Sequence, residues 1–173
     1  MKGVRKTRPV INHAMLDQAE LPAFLQALTA ANSHTTTKLA LRSTILTAAR
    51  TGEVRFATWN EIDLEKRLWS IPAERMKMRQ PHVVPLSTGA LAILQRVKIL
   101  YGDSGFIFPG IKNPEKAISE NTLLDCIAQI GYHRAATTHG FRATFSTIAN
   151  EAGFSADAIE RALAHQEKSA VRA

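Results

Sequence analysis

What most constrains the fold of this chain is a change of apolar period partway along it. From Asp17 the pattern is helical, with Leu21, Phe24, Leu25 and Leu28 at i, i+3, i+4 and i+7. A second helix is expected from Thr36 to about Ala49, with Leu41, Ile45 and Ala48 on one face, broken by Thr51-Gly52. Residues 56–86 abandon that rhythm. Trp59, Ile62 and Leu64 are followed by Arg67-Leu68-Trp69-Ser70-Ile71-Pro72 and by His82-Val83-Val84-Pro85-Leu86. Such short β-branched and aromatic stretches, punctuated by proline, suit the edge strands of a small sheet. The helical period then returns. Ala90, Ile93, Leu94, Val97 and Tyr101 form a stripe after Ser87, closed by Gly102, and residues 102–118 read as loop. Three further helices are expected. Ser119 would cap one carrying Leu123, Leu124, Ile127 and Ile130, and Thr138 one carrying Phe141, Phe145, Ile148 and Ala152. Ser155 would cap a last one, with Asp157 in its first turn and Ile159 and Leu163 inward. The expected fold is mainly α with a small antiparallel β-sheet (α+β), a single domain over residues 14–173. Residues 1–13 are basic and lack an apolar period, which reads as a flexible lead-in or linker.

Composition narrows the function classes. With 173 residues, 45% hydrophobic and 21% charged, the chain can bury a core and is not wholly disordered. No apolar run reaches the roughly 20 residues of a membrane span, and the basic start has no apolar stretch behind it, unlike a secretory signal. The single cysteine, Cys126, leaves no disulfide framework and suits a reducing cytosol. One cysteine and six scattered histidines give no zinc spacing, so no metal is expected. The net charge of +7 favours an anionic partner, nucleic acid first and a membrane surface second. A merely solubilising surface would have the same composition, so charge alone does not decide.

Four short motifs carry possible chemistry. His139-Gly140-Phe141-Arg142 puts two cationic donors in one sector at a helix N-terminus, itself favourable to anions. A solvated polar face with a chance histidine is the bland alternative. Arg50, before Thr51-Gly52-Glu53, could clamp a phosphate bidentately with Glu53 orienting it, or simply face a helix C-terminus. The connector Ala73–Pro81 sets Arg75, Lys77 and Arg79 against one acid, Glu74, as a basic hairpin tip. His165 follows Leu163-Ala164 and alone would read as a helix-terminal histidine.

In order, however, these motifs resemble the catalytic domain of the tyrosine recombinases, or phage integrases, from about residue 14 to the end. The hairpin phrasing Ile71-Pro72-Ala73-Glu74-Arg75-Met76-Lys77, running on to Val84-Pro85, is most similar to integrases of prophages and integrative islands. The resemblance implies catalytic roles for Arg50, Lys77, His139, Arg142 and His165, with Glu53 in support, while Arg75 and Arg79 in the basic hairpin are expected to contact DNA phosphates. It implies site-specific recombination: a tyrosine attacks a DNA phosphodiester, forming a 3′-phosphotyrosine and freeing a 5′-hydroxyl. It also implies no metal or nucleotide cofactor, double-stranded DNA as partner, a homotetramer on DNA, and action in the cytoplasm of a bacterial host, at its nucleoid.

Two departures stand out. Ala164 occupies a place where the family often has glycine. No tyrosine follows His165, and Tyr101 and Tyr132 precede both histidine motifs. The expectation is therefore a catalytic domain truncated before its nucleophile, without the family's N-terminal clamping domain, monomeric and inactive alone. Two competing readings are a non-catalytic DNA-binding module and a type IB topoisomerase-like enzyme. A pure binder has no need for Arg50, Lys77, His139 and Arg142 to converge.

Overall fold

The computed structural model describes residues 14–165; the lead-in read over residues 1–13 lies outside them. The described residues form seven helices and a three-stranded sheet. In chain order these are α1 (Leu21–Ala30), α2 (Thr35–Thr47), α3 (Thr51–Arg55), β1 (Ile62–Asp63), β2 (Leu68–Ile71) and β3 (His82–Pro85). They are followed by α4 (Thr88–Tyr101), α5 (Thr122–Ile127), α6 (Gly140–Glu151) and α7 (Ala156–Ala162).

Helix α2 is the hub, packed against α3, α4, α5 and α6. Its sequence explains why it can be surrounded. Thr36, Thr37, Ala40, Ser43, Thr44 and Thr47 are buried beside Leu41, so neighbours approach closely on several sides. The hydroxyls that burial would strand are returned to the helix's own carbonyls: Thr44 donates to Ala40 at 3.0 Å and Thr47 to Ser43 at 2.7 Å. The single apolar face expected from Leu41, Ile45 and Ala48 is thus too narrow a description. Ile45 is only half-buried, because packing around α2 relies on small residues.

The sheet is antiparallel in the order β1-β2-β3. Trp69 pairs with Val84 and Ile71 with His82, which puts Trp69, Ile71 and Val84 into the main core and turns Val83 outward. That core also gathers Phe24, Leu28, Val54, Val97, Ile107, Phe108, Leu123 and Phe141. A small satellite cluster of Ala48, Ala149, Ile159 and Leu163 fastens α7 to α6 and to the end of α2.

Helix boundaries follow local capping chemistry with three corrections. Ser87 and Ser155 cap α4 and α7, accepting from Ala90 and Ala158. Gly52 does not stop α2. That helix ends at Ala48 in a left-handed conformation (φ 49°), and Gly52 lies inside the new helix α3. Ser119 spends its hydroxyl on Thr122, and Asn121 takes the N-cap position of α5, which widens over Ala128–Tyr132 with Gly131 kinking it at φ 88°. Thr138 does not cap α6. Thr137 accepts from the Gly140 amide instead, freeing Thr138 to bond Thr51 across to α3 at 2.8 Å. Among the described residues no helix is long and apolar enough to cross a membrane.

Candidate active site

The site is built where α2 ends and α3 begins. The chain restarts at Arg50 in extended conformation, and Glu53 at the third helical position reaches back to it. One Glu53 oxygen accepts the Arg50 amide at 2.7 Å and the other accepts its guanidinium at 2.8 Å. Glu53 is 5% exposed and Arg50 remains part-open, so a buried carboxylate aims a cation at solvent.

Arg142 arrives from α6. The sequence placed it on a polar helix face beside His139, but only 4% of its surface is exposed. Two carbonyls at helix C-terminal ends receive it. Ala48, ending α2, accepts from one guanidinium nitrogen, and Leu163, ending α7, accepts from the other at 2.6 Å. Such ends carry partial negative charge, which suits a buried cation. The residues that turn these ends, Ala48 and Ala164, both hold φ 49°, a left-handed conformation that costs a non-glycine residue about 1 kcal/mol. A glycine at 164 would hold that conformation without the cost. Burial, then the nearby charge of Arg50, lower the Arg142 pKa to about 10, so it stays protonated at neutral pH.

His165 closes this group. Its Nε2 lies 3.3 Å from the Arg142 guanidinium and its Nδ1 2.9 Å from Glu160, one turn back on α7. His139 is exposed at the N-terminal cap of α6, held beside α3 by the Thr138–Thr51 bond. Between His139 and Arg142, Gly140 has a steric reason: a Cβ there would stand 2.0 Å from the Ala14 carbonyl oxygen.

Lys77 is exposed in the β2–β3 connector and lines one cavity of about 650 Å³ with Arg50, Glu53, Phe56, Arg75 and Phe106. Arg79 is exposed. Arg75 turns inward instead. Its guanidinium is paired with Glu61 and donates to the Glu53 carbonyl, leaving it unlike the outward DNA contact the sequence suggested. A run of basic residues does not reveal which one has a buried acid waiting.

One residue escaped the sequence reading. His82, on β3, is half-buried, and its pKa is pushed down chiefly by burial. The charges of Glu53, Arg142 and Arg50 and the Ala162 carbonyl all act on it, which places it beside the cluster. Strand alternation was the available signal, since His82 shares an inward face with Val84. Neither tyrosine lines the cavity: Tyr132 packs edge-on against Phe24 at 4.9 Å, and Tyr101 lines another cleft with His34. Among the described residues no three His, Cys, Asp or Glu side chains group to hold a metal ion.

A profile described as the phage integrase family matches residues 14–173. The integrase of Enterobacteria phage P4 is 37% identical over 188 residues, covering 100% of this chain and 43% of that protein. Prophage integrase IntZ of Escherichia coli (strain K12) is 44% identical over 164 residues, covering 94% and 40%. The chain thus spans about two fifths of the length of these relatives. Among solved structures, a lambda integrase tetramer bound to a Holliday junction superposes with a TM-score of 0.71 at 17% identity, covering 98% of this chain and 52% of that one. At that identity the likeness speaks for the fold, which is that of tyrosine-recombinase catalytic domains.

Proposed function

The chain belongs to the phage integrase family, and on that premise we propose that it forms the catalytic domain of a site-specific DNA recombinase that inserts a prophage or genomic island. The observation that supports this reading is the convergence of Arg50 and Arg142 from two different helices, with Glu53 and His165 as fixed partners. Two cations held together by packing have no structural need of each other. They suit a shared anion.

The proposed chemistry is a transesterification at a DNA phosphodiester. A tyrosine oxygen forms a bond to phosphorus while the bond from phosphorus to the 5′-oxygen breaks. Negative charge spreads over the non-bridging oxygens, where Arg50 and Arg142 stabilise it without reorganising. His165, backed by Glu160, donates to one of those oxygens. His139 takes the proton of the attacking hydroxyl, and Lys77 delivers a proton to the departing 5′-oxygen. The phosphotyrosine conserves the energy of the broken bond for rejoining. Tyr101 and Tyr132 lie outside the cavity, so the proposal assigns the nucleophile to a tyrosine beyond this sequence. It further assigns duplex DNA as the partner and a homotetramer as the working assembly in the intact enzyme.

The test uses the intact enzyme on a nicked substrate, reading covalent adduct on a denaturing gel. Lys77→Ala should slow adduct formation by about a hundredfold or more, the ordinary contribution of a general acid. A substrate with sulfur at the bridging 5′-position needs no acid, because a thiolate leaves unprotonated, and should restore most of the rate. No adduct from the intact enzyme on its own site would overturn the reading.

A further inference from the structure

The mechanism above leaves unused the most enclosed basic residue of the hairpin connector. Arg75 follows Pro72 in a tight turn, Ala73–Arg75, and stands two residues before Lys77. Its Nη1 donates to both oxygens of the Glu61 carboxylate, and its Nη2 donates to the backbone carbonyl of Glu53. Side-chain exposure is 20% for Arg75 and 9% for Glu61, so solvent does little to loosen the pair. Glu61 is itself fixed by the Trp69 indole at 2.8 Å, and Trp69 is a core residue of β2. One planar group therefore joins the sheet, the stem of the Lys77 connector and the α3 turn that holds Arg50. Lysine has no such fork and would reach one of these partners at a time.

We propose that Arg75 is a positioning residue for strand cleavage, fixing the spacing between the Lys77 connector and the Arg50–Glu53 turn. The inference rests on the recombinase reading, in which Lys77 must reach the 5′-oxygen of the phosphate that Arg50 binds. Small errors in such a spacing weigh heavily on rate and little on affinity.

The test uses the intact enzyme and the same pair of substrates, with oxygen or sulfur at the bridging position. Arg75→Gln should slow cleavage of the oxygen substrate by about tenfold or more at saturating DNA, with affinity for DNA unchanged within about twofold. The sulfur substrate should recover most of that loss, as it does for Lys77→Ala. Arg75→Lys should remain slow. Removing one partner of a shielded pair can unfold a protein. The double variant Glu61→Gln/Arg75→Gln, which leaves no unpaired charge, should show the same substrate-dependent recovery. Weakened binding with normal cleavage at saturation would make Arg75 a DNA contact and overturn the proposal. Rescue of Lys77→Ala by sulfur, without rescue of Arg75→Gln or the double variant, would overturn the coupling alone. Failure of sulfur to rescue Lys77→Ala would remove the acid role from Lys77, and the coupling with it.

Discussion

Arg142 shows how a single residue can carry the logic of a site. Lowering its pKa to about 10 means that holding its charge in the fold costs on the order of 3 kcal/mol. The acceptors found for it are helix-end carbonyls, which solvate the cation without neutralising it. An anion between Arg50 and Arg142 would recover part of that cost, so the free site is primed for one. His82 has the opposite design. Burial favours its neutral form, against the pull of Glu53 and with the push of Arg142 and Arg50. Because the folded pKa lies below the unfolded one, the unfolded chain takes up the extra proton as pH falls. The stability His82 permits is fully present above the ordinary histidine value of about 6.5 and is lost as pH drops through it. Asp63 and Asp103, whose pKa values are also lowered, act only below the usual carboxylate range, outside that window. The thermal midpoint should therefore fall between about pH 7.5 and 5, and His82→Gln, which keeps an N–H for Ala162, should flatten that fall. Parallel curves for the two proteins would show that the fold does not lower the His82 pKa.

At the scale of elements, what was legible in the sequence is what local chemistry decides. Ser87 and Ser155 cap their helices through backbone amides three residues on, and the β-branched runs around Trp69 and Val84 make the sheet wherever the helices go. The motifs around Arg50, His139 and His165 could be placed at helix ends for the same reason. The inward turn of Arg75, the burial of Arg142 and the cross-link from Thr138 to Thr51 were not legible. Each partner lies far along the chain, as with Arg142 and Ala48 or Thr138 and Thr51. Gly52 misled because a left-handed alanine, Ala48, had already ended α2. Helix α7 is held mainly by a satellite cluster of four buried residues that includes Ile159 and Leu163. Leu163→Ala should cost about 2–5 kcal/mol at that contact. Hydrogen exchange should accelerate across Ala156–Ala162 while the amides of α2 stay protected. Equal acceleration in both helices would mean that α7 opens only with the whole domain.

For the whole molecule, the net charge of +7 is unevenly placed. Residues 14–165 carry 16 Lys and Arg against 14 Asp and Glu, a net of only +2. Residues 1–13 alone add Lys2, Arg5, Lys6 and Arg8 with no acid. The folded body therefore has little general attraction for DNA, and its arginines act by arrangement. Phosphate contacts release counterions, so the logarithm of the binding constant falls with the logarithm of salt by about 0.9 for each phosphate neutralised. If the basic lead-in tracks the DNA backbone, deleting residues 1–13 should make that slope shallower by up to about 4, one contact for each cation removed. Arg79→Ala should reduce it by about 1, equally for specific and unrelated duplexes. The arginine cluster lies within residues 14–165, so inorganic phosphate should raise the thermal midpoint, and that rise should survive the deletion and disappear in Arg142→Gln. An unchanged salt slope after the deletion would place the duplex contacts on the body itself, despite its near-balanced charge.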